Sequence, residues 1–304
     1  MIYTCTLNPS IDYIMNVEHF ESGGLNRAKQ TFYYPGGKGI NVSRVMSRLG
    51  VPTTALGYVG EFTGKFITDF LNEENIDHRF IETGQYTRIN VKLKGDKESE
   101  INGPGPELNE EQQEKLLDQI RSLTGEDLLI LAGSVPSSLP SDFYLRIADI
   151  CDSTGAKLVA DTSGKALEQL MGYKVALLKP NHHELGELFQ TEINTKEQAA
   201  EYAMKLVDKG AEQVIVSMGG DGAVYASHDG KMYANVPKGK VKNSVGAGDS
   251  VVSGFIGGLA LGMTKEEAFK YGVAAGSATA FQDDLCEKRD VYELLDEIKV
   301  SPIN

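Results

Sequence analysis

From residue 108 onward the chain repeats one unit: a short apolar run, a loop of small or polar residues, and an amphipathic stretch of helical period. Runs of four to six apolar residues closed by glycine, proline or serine read as buried strands, and apolar positions three and four apart read as helices. The pattern predicts a helix over 110–123, then a strand over 127–132 that ends in Gly133-Ser134-Val135-Pro136-Ser137-Ser138. A helix over 141–153 follows, with Ser141 as its cap. Strands over 157–160, 175–178 and 213–217 end in Asp161-Thr162-Ser163-Gly164, Lys179-Pro180-Asn181-His182-His183-Glu184 and Met218-Gly219-Gly220-Asp221-Gly222. Such repetition requires a parallel sheet with helices on both faces, because each strand must cross over before the next. It also gathers the polar loops along one sheet edge, where open α/β sheets bind ligands.

The first third departs from this rhythm. A strand is predicted over 2–7, closed by Asn8-Pro9-Ser10, with Asp12 just past its end. Asp12 there fits either a ligand contact or a turn-stabilising carboxylate. Strands over 13–17 and 29–34 are joined by Gly23-Gly24-Leu25-Asn26-Arg27, and strand, helix and strand follow over 53–59, 65–75 and 78–82. Residues 87–93 alternate, which puts Arg88, Asn90 and Lys92 on one face. That face suits a phosphorylated sugar, and equally a solvated sheet surface. Segments 12–35 and 87–102 are expected to form a small separate sheet, a lid or dimer surface, on one α/β domain covering 1–304.

Composition narrows the partners. The net charge of −13 argues against nucleic acid or an anionic membrane, so an anionic substrate needs a local basic cluster. The three cysteines, Cys5, Cys151 and Cys286, have no metal or redox spacing and fit a reducing cytoplasm. Residues 1–7 lack the basic and apolar regions of a signal peptide, and the apolar stretch over 251–263 is too short to span a bilayer.

Two glycine turns carry the chemistry. Pro35-Gly36-Gly37-Lys38-Gly39-Ile40-Asn41 leads into a helix predicted over 41–49; its glycines permit close backbone approach, Lys38 offers a charge for an anion, and Asn41 can bond sugar hydroxyls. Ser244-Val245-Gly246-Ala247-Gly248-Asp249 leads into the 251–263 stretch and forms an anion-binding nest at a helix start. Asp249 in that position is either an N-cap or a base that takes a proton from a hydroxyl while the nest holds a phosphoryl group. The helix dipole and nearby cations are expected to lower its pKa.

These two turns, with Lys179-Pro180-Asn181 plus Glu184 and with Ser217 to Gly222, lie in order along the whole chain. Together they resemble the PfkB family of ribokinase-like sugar kinases. The resemblance implies a three-layer α/β/α core with a parallel sheet and a small β-sheet lid. Thr6-Leu7-Asn8-Pro9-Ser10-Ile11-Asp12, Thr87-Arg88-Ile89-Asn90 and Asn181-His182-His183-Glu184 resemble the members that phosphorylate fructose 1-phosphate to fructose 1,6-bisphosphate with ATP. Tagatose-6-phosphate kinase and 6-phosphofructokinase are the alternatives within the family, and a catalytically silent sugar-phosphate-binding regulator is the alternative outside it.

By that resemblance Asp249 is the general base, with Gly246, Ala247 and Gly248 as the anion hole. Asp12, Gly36, Gly37, Asn41, Asn90 and Ser137 hold the sugar, and Arg88, Lys38 and Arg27 hold its phosphate. Lys179, Asn181, Ser217, Gly219, Gly220, Gly222, Ser244 and Gly276 line the ATP site, with Asn181 and Glu184 organising Mg²⁺. K⁺ is a further cofactor the resemblance raises, and a cytoplasmic homodimer through the lid strands is the assembly it implies.

Overall fold

The computed structural model describes residues 1–303. Its larger sheet has 11 strands. Ile2–Thr6 lies inside it, between Thr54–Val59 and Leu128–Ala132. Lys157–Asp161, Leu177–Leu178 and Gln213–Ser217 continue beyond Leu128–Ala132, every neighbour pairing parallel. The strand termini named above therefore do collect at one edge.

Alternate residues of each strand feed two cores. Leu129, Leu131, Leu158 and Val214 pack with helices Glu110–Arg121, Phe143–Thr154 and Lys196–Val207 on one face. Ile130, Val159 and Ile215 pack with Lys38–Leu49, Ala247–Ala260 and Lys265–Ala280 on the other. Burial at period two on both faces is what a doubly covered sheet requires.

Several local expectations are corrected. The sheet is mixed: Ala223–Ser227, Gly230–Ala234 and Val300–Pro302 extend it antiparallel beyond Gln213–Ser217. Asp229-Gly230 at the turn between the first two is a hairpin signal that the strand-helix reading passed over. Ser141 is not a cap, since the helix begins at Phe143 after Asp142 and has no side-chain cap bond. The helix after Gly37 starts at Lys38 rather than residue 41, and the next at Glu61 rather than 65. Asp12 lies within a strand, Ser10–Asn16, not in a turn.

That strand belongs to a 4-stranded sheet with Gln30–Gly36, Arg88–Lys94 and Ser99–Asn102. Asp12 sits beside Tyr34 and Asn90 in register, so Ser10, Asp12, Arg88, Asn90 and Lys92 share one face. Asn90 and Lys92 are both 7% exposed on that face, while Tyr33, Ile89 and Ile101 on the opposite face are 52%, 42% and 61% exposed. The polarity is inverted: the polar face turns inward and the apolar face outward. The solvated-face reading of Arg88, Asn90 and Lys92 is thereby overturned.

Helices Ala247–Ala260 and Lys265–Ala280 cross at glycines. A Cβ on Gly254 would lie 2.8 Å from Gly272 Cα, and one on Gly276 would lie 2.5 Å from Val251 Cγ2 and 3.0 Å from the Ala247 carbonyl. Gly276 is a packing residue holding the start of the Ala247–Ala260 helix, and its neighbours are protein atoms. Gly254→Val should overpack this crossing and lower the unfolding free energy by about 1–3 kcal/mol in urea titration. Unchanged stability would contradict the close crossing.

Candidate active site

Gly246 adopts φ 80°, in the left-handed region, and caps the helix Ala247–Ala260. Leu285 crowds the space a side chain would need there, at 2.5 Å from an added Cβ. The turn thus delivers the helix start to the sheet edge, where Gly246, Gly248 and Asp249 line a cleft of about 480 Å³. First-turn N–H groups have no acceptor inside a helix and remain for an anion.

Asp249 is in the first turn and 5% exposed. It makes no cap bond; its Oδ2 accepts a 2.8 Å hydrogen bond from Asn41 Nδ2. The N-cap reading is therefore excluded. The expected fall in pKa is also reversed. Burial, then the charge of Asp161, raise the Asp249 carboxyl to about 6, against the opposing pull of Lys38, Asn41 and Lys179. Burial outweighs the dipole because a desolvated carboxylate loses water on all sides.

Two lysines face this carboxylate. Lys38 follows Gly37, whose φ of 116° brings its Cα against Thr6. Its Nζ lies 3.0 Å from Asp161 Oδ1, and Lys179 Nζ lies 3.4 Å from the same oxygen. A Cβ on Gly248 would be 3.2 Å from Lys179 Nζ, which places that ammonium over the nest. Burial disfavours the charged form of Lys38, but Asp161, Asp249 and Glu184 outweigh it and raise its pKa.

At the other end, the small sheet supplies a polar wall. Asp12 Oδ1 accepts from Ser10 Oγ at 2.8 Å and from Asn90 Nδ2 at 3.2 Å. Lys92 Nζ reaches Glu100 at 3.2 Å and Asp12 Oδ2 at 3.9 Å. Gly36 is glycine because a Cβ would fall 2.4 Å from Asp12 Oδ1. Arg88 donates to the carbonyls of Asn8, at 3.0 Å, and Gly103, at 3.4 Å. No ion pair holds its guanidinium among the described residues, so the charge is available to a ligand.

Asn181 and Glu184 begin the helix His182–Phe189 as a reciprocal capping box, with Asn181 Oδ1 accepting from Glu184 N and Glu184 Oε2 from Asn181 N, both at 2.8 Å. Each keeps a second polar atom for the cleft, which they line with Ser217 and Ser244. No cluster of three His, Cys, Asp or Glu suited to a metal occurs among the described residues. One spare carboxylate oxygen fits Mg²⁺, which is held by one or two carboxylates together with substrate phosphates and water.

Some expected residues are not brought in. Arg27 is exposed on the connection between small-sheet strands and does not line the cleft. Ser137 is exposed, and Ser134 with Gly133 stands in its place at the strand terminus. Gly219 and Gly220 are exposed on a single 3₁₀ turn, and Gly222 packs under the Ala234 carbonyl. None of these three lines the cleft, and neither do Gly276 and Ala247. Lys92 lines it beside Arg88 and Asn90, as the phosphosugar reading of that face expected; Thr6, Asn8 and Ser10 line it without having been assigned to it, and Asp161 lies behind its two lysines. Position just past a strand's C-terminal end was the available signal for Asn8 and Ser134.

A buried carboxylate beside an amide nest and two lysines suits the movement of a phosphoryl group onto a hydroxyl. The comparisons agree, and the chain belongs to the pfkB family carbohydrate kinases, whose pattern matches residues 5–289. It is 54% identical to the 1-phosphofructokinase of Bacillus subtilis (strain 168), covering 99% of both chains. It is 35% identical to the D-tagatose-1-phosphate kinase of Bacillus licheniformis, again covering 99% of both. Phosphofructokinase-2 from Escherichia coli, solved with fructose-6-phosphate, superposes with a TM-score of 0.91 at 30% identity, over 97% of this chain and 98% of that one. Arabidopsis thaliana ribokinase, at 21% identity and a TM-score of 0.77 over 97% and 98%, shares the fold. As a member of this kinase family the chain uses ATP as its phosphoryl donor.

The raised Asp249 pKa has a stability consequence. A carboxyl that ionises at about 6 when folded and near 3.8 when unfolded favours folding while protonated. Stability is then lost as pH rises through that window. Asp249→Asn, which removes the buried charge, should raise the unfolding free energy at pH 8 by roughly 1–3 kcal/mol while changing it little at pH 4. Equal or lower stability at pH 8 would contradict the desolvated carboxylate.

Proposed function

We propose that this chain transfers the γ-phosphoryl group of ATP to the free primary hydroxyl of fructose 1-phosphate, giving fructose 1,6-bisphosphate and ADP. One observation carries the reading: Asp249 is a buried carboxylate, its pKa raised to about 6, hydrogen-bonded to Asn41 at the mouth of an amide nest. A base with that pKa is ionised at pH 7 and can still accept a proton as the hydroxyl develops charge.

Asp249 takes the hydroxyl proton as the sugar oxygen bonds to Pγ and the Pγ–O bond to ADP breaks. The amides of Gly248 and Asp249, with Lys38 and Lys179, neutralise the phosphoryl oxygens. Catalysis of this kind rests on positioning and charge more than on covalent help. Asp12, Asn90 and Asn41 orient the sugar hydroxyls, and Arg88 with Lys92 meets the phosphate already on the sugar. Glu184 and Asn181 would hold Mg²⁺, which when bound supplies further neutralisation of the phosphates. The E. coli relative is also known in complex with potassium, which makes K⁺ a variable for the assay.

Tagatose 1-phosphate is the second reading, favoured by the B. licheniformis relative. It carries its phosphate on the same carbon as fructose 1-phosphate and differs in one ring hydroxyl. A coupled ADP-release assay with Mg²⁺, with and without K⁺, over fructose 1-phosphate, tagatose 1-phosphate, tagatose 6-phosphate and fructose 6-phosphate separates these. The expected result is the highest kcat/KM on fructose 1-phosphate, with kcat reduced about 100-fold or more in a folded Asp249→Asn. No turnover on any of the four would favour the silent regulator.

A cytoplasmic homodimer, paired through the outer face of the small sheet, belongs to this reading. Tyr13 and Tyr33 stack at 4.5 Å there, beside exposed Ile89 and Ile101. A second copy of the same face would cover this apolar surface, and no helix of the described residues is long and apolar enough to cross a membrane. Ile89→Lys with Ile101→Lys should shift the protein from dimer to monomer in sedimentation velocity. A monomeric wild type, or a double variant that stays dimeric, would refute this face.

A further inference from the structure

Asp161 is fully buried, is shared by two lysines through one oxygen, and leaves its other oxygen, Oδ2, without any hydrogen-bond partner. A buried carboxylate with an empty acceptor is costly and calls for a reason. Packing does not supply one, because Lys38 and Lys179 come from separate elements and could each reach the cleft without it. Its place does: it ends Lys157–Asp161 at the sheet edge, directly behind the two ammonium groups that face Asp249.

We propose that Asp161 is a positioning residue for phosphoryl transfer: it holds the Lys38 and Lys179 ammoniums side by side against the nest, so that the moving phosphoryl group meets two cations already in place. This rests on the kinase reading above. Two lysines left to themselves in one cleft would repel each other, and their flexible stems would spread them apart. A common counter-ion removes that repulsion and fixes both to one point. Preorganised charge costs no reorganisation during the reaction. The same carboxylate acts on the base. The charged groups facing Asp249 are Asp161 on its strand, Lys38 on its helix, and Lys179 past Leu177–Leu178; Asn41 adds a hydrogen bond. Among them Asp161 alone favours the protonated form. Burial works against the charge of Asp161 itself, but Lys179 and Lys38 hold its own pKa down, so it stays ionised across the working range.

The test compares wild type, Asp161→Asn, Lys38→Met and the double variant on whichever phosphosugar the wild type uses. Asp161→Asn should lower kcat about 100-fold, leave KM for the sugar and the affinity for an ATP analogue within about 3-fold, and move the acid limb of kcat/KM to lower pH. In the Lys38→Met background its cost should shrink to about 10-fold or less. Additive losses in both backgrounds, or an unmoved acid limb, would overturn the proposal, since a merely structural role predicts both. Should Asp161→Asn not fold, Lys38→Gln, Lys179→Gln and their double variant carry the test. Their single losses multiplied should exceed the double loss, and strictly multiplicative losses would reject a jointly held pair. A wild type inactive on every phosphosugar defeats the kinase reading separately. NMR titration of the Asp249 carboxyl then decides for Asp161, a lower pKa in Asp161→Asn supporting its placement and an unchanged one refuting it.

Discussion

Two buried carboxylates, a buried ammonium and a half-exposed one meet at the C-terminal edge of the sheet, and the rest of the molecule keeps them there. Asp161 comes from a strand end, Asp249 and Lys38 from two helix starts, and Lys179 from a loop after a short strand. Each is placed by a different element, and none could be desolvated alone, because an isolated charge in the interior changes its protonation instead. Paired, they cancel. This is how a chain of net charge −13 can receive phosphorylated substrates. Fields from the distant surface are screened over about 10 Å in salt, while the two cleft lysines act at contact.

The two sheets divide the work. The larger sheet supplies fixed points, because parallel strands covered on both faces leave little freedom at their ends. The small sheet supplies the polar wall at the other end of the cleft. Its inverted polarity, with Asp12, Asn90 and Lys92 turned in and Tyr33, Ile89 and Ile101 turned out, makes sense only if both faces have partners. The polar one lines the cleft, and the apolar one is the surface through which we propose a second copy docks. Behind the site, Arg44 is 1% exposed and bonds both Glu74 and Asp284, tying the Lys38–Leu49 helix to the segment whose Leu285 packs on Gly246.

Much of the edge was legible because glycine marks it. Gly37 and Gly246 have positive φ, and both turns were visible with the charged residue that follows each. Asn41, Asp249, Lys179 and Asn181 lie where strand-loop-helix order places them. Asp161 was passed over because an aspartate before Thr-Ser-Gly reads as an ordinary strand end; nothing local says that two lysines from elsewhere converge on it. Ser134 and Ser137 are indistinguishable within one serine-proline loop until its path is known. Arg27 was assigned by motif, yet its connection runs out over the surface. The pKa of Asp249 went the wrong way because the dipole can be read from a helix start, whereas burial depends on Asn41 and Asp161, far away along the chain. The antiparallel edge had its signal in Asp229-Gly230, outweighed by the regular alternation before it.

The central claim is that burial and the charge of Asp161 raise the pKa of the Asp249 carboxyl to about 6, so that it is ionised at neutral pH and ready to take a proton. Titrating the ligand-free protein with ¹³C-labelled aspartate, assigned by comparison with Asp249→Asn, measures this directly. The account predicts one carboxyl resonance, missing in the variant, that titrates near pH 6. A midpoint at or below about 4, the range of an ordinary aspartate, would contradict it.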